Sequence, residues 1–246
     1  IQASYNPVLD GDGKVIRVVK IATDITATKL KNSNYEGQIN AINKAQAVIE
    51  FDLDGNILTA NENFLNTVGY RLEEVQGKHH SMFVKDDYKR STEYAQFWEQ
   101  LRQGSMFNDE FERVGKEGKS VWIQASYNPI IDQNGRPYKV VKFALDITGR
   151  KQAISDIRYA MNELAQGNLD CKIEHEFEDE FQDLGNSINR FIGDMRRIIG
   201  TINDVMSRLS NGDLTAVIDD EFEGEFQVLG DAINQFVNQM SGTIGS

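Results

Sequence analysis

The sequence predicts an α+β domain, an antiparallel sheet with helices on one face, followed by all-α parallel four-helix bundles. Three observations predict it. Short alternating segments around turn residues fill the first 150 positions, a 4-3 apolar seam interrupted by two polar passages runs through the last 100, and two internal repeats divide the chain. Residues 1–26 (IQASYNPVLDGDGKVIRVVKIATDIT) recur at 123–148 as IQASYNPIIDQNGRPYKVVKFALDIT, with 16 of 26 positions identical. Residues 167–191 recur at 212–236, an offset of 45 with 14 of 25 positions identical.

The strands come from periods of two. Trp122, Gln124, Ser126 and Asn128 alternate with Ile123, Ala125 and Tyr127, as a half-buried antiparallel strand does. Asp132-Gln133-Asn134-Gly135 supplies a turn, and 139–147 the return strand. Upstream, 47–53 and 55–60 flank Asp54-Gly55, a hairpin signal. Between these hairpins lie short helical segments at 62–68 and 72–76, one longer helix near 86–103, and a strand at 107–115. Residues 1–27 repeat the final hairpin alone, so they are expected to be the C-terminal remnant of a preceding domain. A linker helix is expected at 28–38, and the complete domain at 39–149.

Beyond residue 150 the period changes. Ile154, Ile157, Met161 and Leu164 form one seam. Leu184, Ile188, Phe191, Met195, Ile198, Ile202, Val205 and Leu209 step 4-3-4-3-4-3-4, which predicts one continuous helix of about 28 residues. Leu229, Ile233, Phe236 and Met240 resume the seam after a second polar passage. One apolar stripe cannot be buried by its own helix, so a parallel homodimer is expected.

Composition excludes several classes. The net charge is −12, with 38 acidic against 26 basic residues and no basic run, so a nucleic-acid partner is not expected. A lone Cys171 excludes an internal disulfide and a zinc-thiolate cluster, and is most simply a small connector residue. No run of about 18 apolar residues is present, so no membrane span is expected. The chain opens on IQASYNP without a signal peptide, and a cytoplasmic fragment is expected.

The residues also resemble known families. Asn61-x-x-Phe64, Gly69-Tyr70, Gly77, His80 and the closing Asp146-Ile147-Thr148 resemble a PAS sensor domain. Residues 150–200 and 201–246 are each similar to a HAMP unit: a helix, a Gly-x-Leu turn (Gly167, Leu169; Gly212, Leu214), a connector and a second helix. The second helices open on Asp179-Glu180 and Gly224-Glu225, with Gln182 and Gln227 where the family has glycine. The whole resembles the sensory region of a soluble methyl-accepting chemotaxis receptor. That resemblance implies a chemotaxis kinase and coupling protein as partners, reached through an output domain beyond this segment. The regulatory region of a histidine kinase or diguanylate cyclase is the alternative.

The resemblance also names site residues. His80 and Trp98 fall where flavin-binding aerotaxis PAS domains surround FAD, although the family's Arg-His-Pro-Asp is here Lys85-Asp86-Asp87. His79, Asn61 and His80 border the same region, and a neutral imidazole also suits haem iron. The other expectation is no cofactor, with both histidines partly exposed in a turn and Trp98 in the core. Asp146, Thr148, Glu180 and Glu225 are the expected signal relay. Enzymatic activity is not expected. The carboxylates at Glu176, Glu178, Asp179, Glu180 and 219–225 read as solvated, helix-capping charge; His175 has no Gly-rich nucleotide site beside it, and no nucleophile or phosphate-loop motif is present.

Overall fold

The computed structural model describes residues 1–177 and 180–244, so Glu178 and Asp179 of the expected connector motif lie outside the described residues. The chain divides into two compact units, 1–147 and 148–246.

The first unit opens with β1 (Gln2–Leu9) and β2 (Val15–Thr23), an antiparallel pair that forms its own two-stranded sheet with both faces largely exposed. Helix α1 (Thr26–Ala45) follows, longer than the linker segment expected, and buries none of its side chains. The five-stranded sheet then uses β3 (Ala47–Phe51), β4 (Ile57–Ala60), β5 (Phe107–Val114), β6 (Ser120–Ile131) and β7 (Pro137–Asp146) in the antiparallel order β4-β3-β7-β6-β5.

The helices α2 (Glu62–Val68), α3 (Leu72–Val75), α4 (Asp86–Lys89) and α5 (Thr92–Arg102) lie between β4 and β5 in the chain. The core forms where α5 meets the inner sheet face: Phe97, Trp98 and Leu101 pack with Phe51, Ile123 and Tyr127. The single helix expected near 86–103 is two helices. Ser91 takes extended backbone angles and its hydroxyl accepts from the Tyr94 N–H at 3.1 Å, starting a new helix there. A 3-10 turn at His80–Phe83 adds an element that a Gly-Lys-His-His sequence does not advertise.

In the second unit, α6 (Thr148–Ala165) and α8 (Glu225–Ile244) flank α7 (Glu180–Ser210), which runs 31 residues without interruption. The seam expected to be continuous is continuous. Each connector is tied to its following helix by the same device. Asn189 donates to and accepts from the backbone of Ile173 (2.9 Å each), and Asn234 does so with Ile218 (3.0 and 2.8 Å). Gln182 and Gln227 accept from the amides of Phe177 (2.7 Å) and Phe222 (2.9 Å). The glutamines that replace glycine therefore hold the connector.

Candidate functional site

The strand period aims Phe107, Phe111 and Arg113 of β5, Ile123, Ala125 and Tyr127 of β6, and Val140, Lys142 and Ala144 of β7 at one face of the sheet. The 3-10 turn adds His80, and α5 adds Tyr94, Phe97 and Trp98. Most of this set is the apolar wall expected of a core. Its polar members are not. Among the described residues the buried charged or polar side chains are His80, Arg113 and Lys142, and no carboxylate is among them.

His80 is the hub. Its Nδ1 lies 2.9 Å from the Tyr94 hydroxyl and its Nε2 2.9 Å from the Tyr127 hydroxyl. The Tyr127 hydroxyl also accepts from Arg113 Nη2 at 3.2 Å. Rings of Phe51, Tyr94, Phe97, Trp98 and Tyr127 stand 5.3–6.3 Å from the imidazole centroid. Burial, helped by the positive charges of Arg113 and Lys142, holds the His80 pKa well below its usual 6.5, so the imidazole is neutral at pH 7. Burial likewise pushes the Tyr94 phenol up to about 12, and raises that of Tyr127.

Lys142 lies with its ammonium 4.8 Å from the Tyr127 ring centre and 5.5 Å from that of Phe64. Burial first, and Arg113 second, lower its pKa well below 10.5. The Arg113 guanidinium sits 4.5 Å from the Phe111 ring and donates to the Glu112 carbonyl at 2.9 Å, but its Nε has no hydrogen-bond partner. The buried Trp98 Nε1 has no partner of ordinary geometry either. A desolvated cation–π contact returns on the order of 2 kcal/mol, against several kcal/mol for burying an ion. Two buried cations with two orphaned donors therefore make a costly arrangement, of the kind found at functional sites.

The comparisons with known proteins assign the units. Residues 57–144 match the PAS fold, and 151–197 and 197–242 each match the HAMP domain. The chain carries a PAS domain followed by two HAMP domains. It is 43% identical over 150 residues to the biofilm dispersion protein BdlA of Pseudomonas aeruginosa, an alignment covering 61% of this chain and 36% of that protein. It is 30% identical over 80 residues to the aerotaxis receptor of Escherichia coli, covering 32% and 16% of the two. The chain thus spans about a third or less of the length of these curated relatives. A solved PAS domain from Colwellia psychrerythraea is 23% identical, covering 46% of this chain and 97% of its own, with a TM-score of 0.40.

The PAS fold brings His80 and Trp98 together, 5.5 Å between ring centres, and places His79 6.1 Å from Trp98. His80 is fully buried, which corrects the expectation that both histidines are turn residues in partial contact with water; His79 alone is half-buried. Asn61 belongs elsewhere. Its side chain accepts from Phe64 N (3.0 Å) and Val48 N (2.9 Å) and donates to the carbonyls of Asn43 and Gln46, capping α2 and clasping the end of α1. Arg113, Lys142, Tyr94 and Tyr127 were not singled out as site residues from sequence, and the alternation in β6 implied an inward position for Tyr127 alone.

For haem or flavin the donor chemistry fits: a neutral imidazole can ligate iron, and orphaned Nε donors suit ring or acid acceptors. The space does not. Both His80 nitrogens are engaged and five aromatic rings surround it, so a ring-sized group beside His80 must displace a tyrosine hydroxyl and part of that wall.

In the HAMP domains, Glu180 and Glu225 are the exposed first residues of α7 and α8, where a negative charge suits the helix N-terminus. Asp146 ends β7 and Thr148 starts α6. The equivalent first-copy triplet, Asp24-Ile25-Thr26, shows the local use of this sequence: the Thr26 side chain first, and its N–H at 2.8 Å second, donate to the Asp24 carboxylate and lower its pKa. His175 lies 2.8 Å from Asp156, and Cys171 is buried against the carbonyls of Ala160 and Asn168. Among the described residues no cluster of three metal-ligating side chains exists, and no helix is long and apolar enough to cross a membrane.

Proposed function

We propose that this chain is the sensing and relay segment of a chemotaxis-type receptor. The PAS domain senses a small molecule, oxygen or redox state through the His80 cluster, and the two HAMP domains carry the change onward. The observation that carries this reading is the buried polar hub, His80 bonded to two tyrosine hydroxyls, inside a domain whose last strand leads directly into a HAMP helix.

The segment works without catalysis and as a parallel homodimer. Leu184, Phe191, Leu229, Phe236 and Met240 of the seam are exposed in the single chain, and a second copy would cover them. Asp146, Thr148, Glu180 and Glu225 form the relay, and a chemotaxis kinase with its coupling protein receives the signal through an output domain. The hairpin β1–β2 belongs to a second PAS domain, since the inner-face residues Ile123, Ala125, Tyr127, Val140, Lys142 and Ala144 recur in the first copy as Ile1, Ala3, Tyr5, Val18, Lys20 and Ala22.

Replacing His80 with Gln in the full-length receptor tests the sensing role. The purified wild type releases a small molecule on denaturation, and His80→Gln releases none and locks the output in one state. Unchanged ligand content together with normal signalling in His80→Gln overturns the proposal.

A further inference from the structure

Among the described residues, the buried Arg113 and Lys142 have no carboxylate partner. Arg113 is always charged, and burial first and Arg113 second hold the Lys142 pKa well below 10.5. Both touch Tyr127: Arg113 through a hydrogen bond to the hydroxyl, Lys142 over the ring. The buried Arg113 Nε has no acceptor, and the buried Trp98 Nε1 has none of ordinary geometry. Every remaining need of this cluster is for an acceptor, and a negative one.

We infer that the inner face of the PAS sheet binds the acid group, carboxylate or phosphate, of the sensed small molecule at Arg113 and Lys142, beside Tyr127. This deepens, and rests on, the reading of the His80 cluster as the sensory site. Arg113 stands near the end of β5, the edge strand of the sheet, so an acid group reaches it without crossing the other strands. A second observation points the same way. In the hairpin β1–β2, Tyr5 and Lys20 face each other in the register of Tyr127 and Lys142, with the ammonium 5.3 Å from the ring centre. The acid group pairs with Arg113 and Lys142 and draws on the Tyr127 hydroxyl, loosening its bond to His80.

The test compares wild type, Arg113→Met, Lys142→Met and His80→Gln as purified chains. Each is melted in succinate, inorganic phosphate, or sodium chloride at matched ionic strength, and small molecules released on denaturation are identified by mass. Two results support the assignment. Either the wild-type melting midpoint rises saturably with succinate or phosphate but not chloride, with apparent affinity about tenfold or more weaker in both Met variants, or the wild type releases an acidic small molecule that both Met variants have lost. The first points to a free metabolite, the second to a tightly held cofactor. No anion response and no acidic molecule in wild type overturns it, as does a response or content unchanged in the Met variants. Ligand lost in His80→Gln but normal in both Met variants overturns the acid-group assignment and leaves the sensory site standing. Ligand normal in His80→Gln but lost in the Met variants keeps the assignment and removes His80 from sensing.

Discussion

His80 ties the stability of the PAS core to pH. The unfolded histidine takes up a proton near pH 6.5, whereas the buried one does so only well below that value. The unfolded state therefore binds more protons as pH falls below about 6.5, and the fold loses up to about 1.4 kcal/mol per pH unit in that window. His80→Phe leaves two tyrosine hydroxyls short of a partner and lowers stability at pH 7, but urea unfolding between pH 7 and 5 shows a flatter decline than wild type. An equal slope in both proteins removes His80 as the source. Asn61 acts at the same scale by a different route, since its amide serves four backbone groups at once. Asn61→Ala should cost about 2 kcal/mol, read as a drop in the urea midpoint with ligand chemistry at His80 unaltered.

At the scale of elements, each HAMP connector is a segment without regular structure that stays in place because side chains supply its hydrogen bonds. Asn189 and Asn234 each satisfy both backbone groups of the connector residue they face, and Gln182 and Gln227 satisfy one more amide. Above these bonds, Phe177 and Phe222 close against Gly185 and Gly230, where an added Cβ would stand 3.2 and 3.4 Å from the rings. Asn234→Ala should destabilise the second HAMP domain by about 1–3 kcal/mol, because two part-buried backbone groups lose their partner. Amide hydrogen exchange checks it: protection falls around Ile218 and stays unchanged around Ile173.

For the whole molecule, the shared helix matters most. The two HAMP matches meet at Arg197, in the middle of α7, so the second helix of one domain continues as the first helix of the next. Ile198 and Val205 lie buried on that helix with Ala216, Ile218 and Phe222. Ile198→Asp puts a charge into this packing, and sedimentation should show a monomer or an unfolded C-terminal half; an intact dimer would refute the seam as the interface. A four-residue insertion after Met195 shifts the heptad register while keeping both apolar stripes. Folded dimers with fixed output are expected, and a receptor that still switches in both directions shows that α7 does not carry the signal.

Much of this was legible in the sequence because it is periodic. A period of two set β6 and β7, the 4-3 seam set α7 as one unbroken helix, and the repeats marked both the extra hairpin and the paired HAMP domains, since local patterning is dictated by which faces must leave water. The family resemblance pointed to His80 and Trp98, but only as positions. That His80 is fully buried, bonded to Tyr94 and Tyr127, and shares its core with Arg113 and Lys142 depends on residues 14 to 62 positions away meeting across a sheet and a helix. Arginine and lysine in a strand read as solvent-facing by default, and nothing local marks them as buried. Only the register of β5, β6 and β7 turned those two cations inward, and burial then made their missing counter-charge a property of the site.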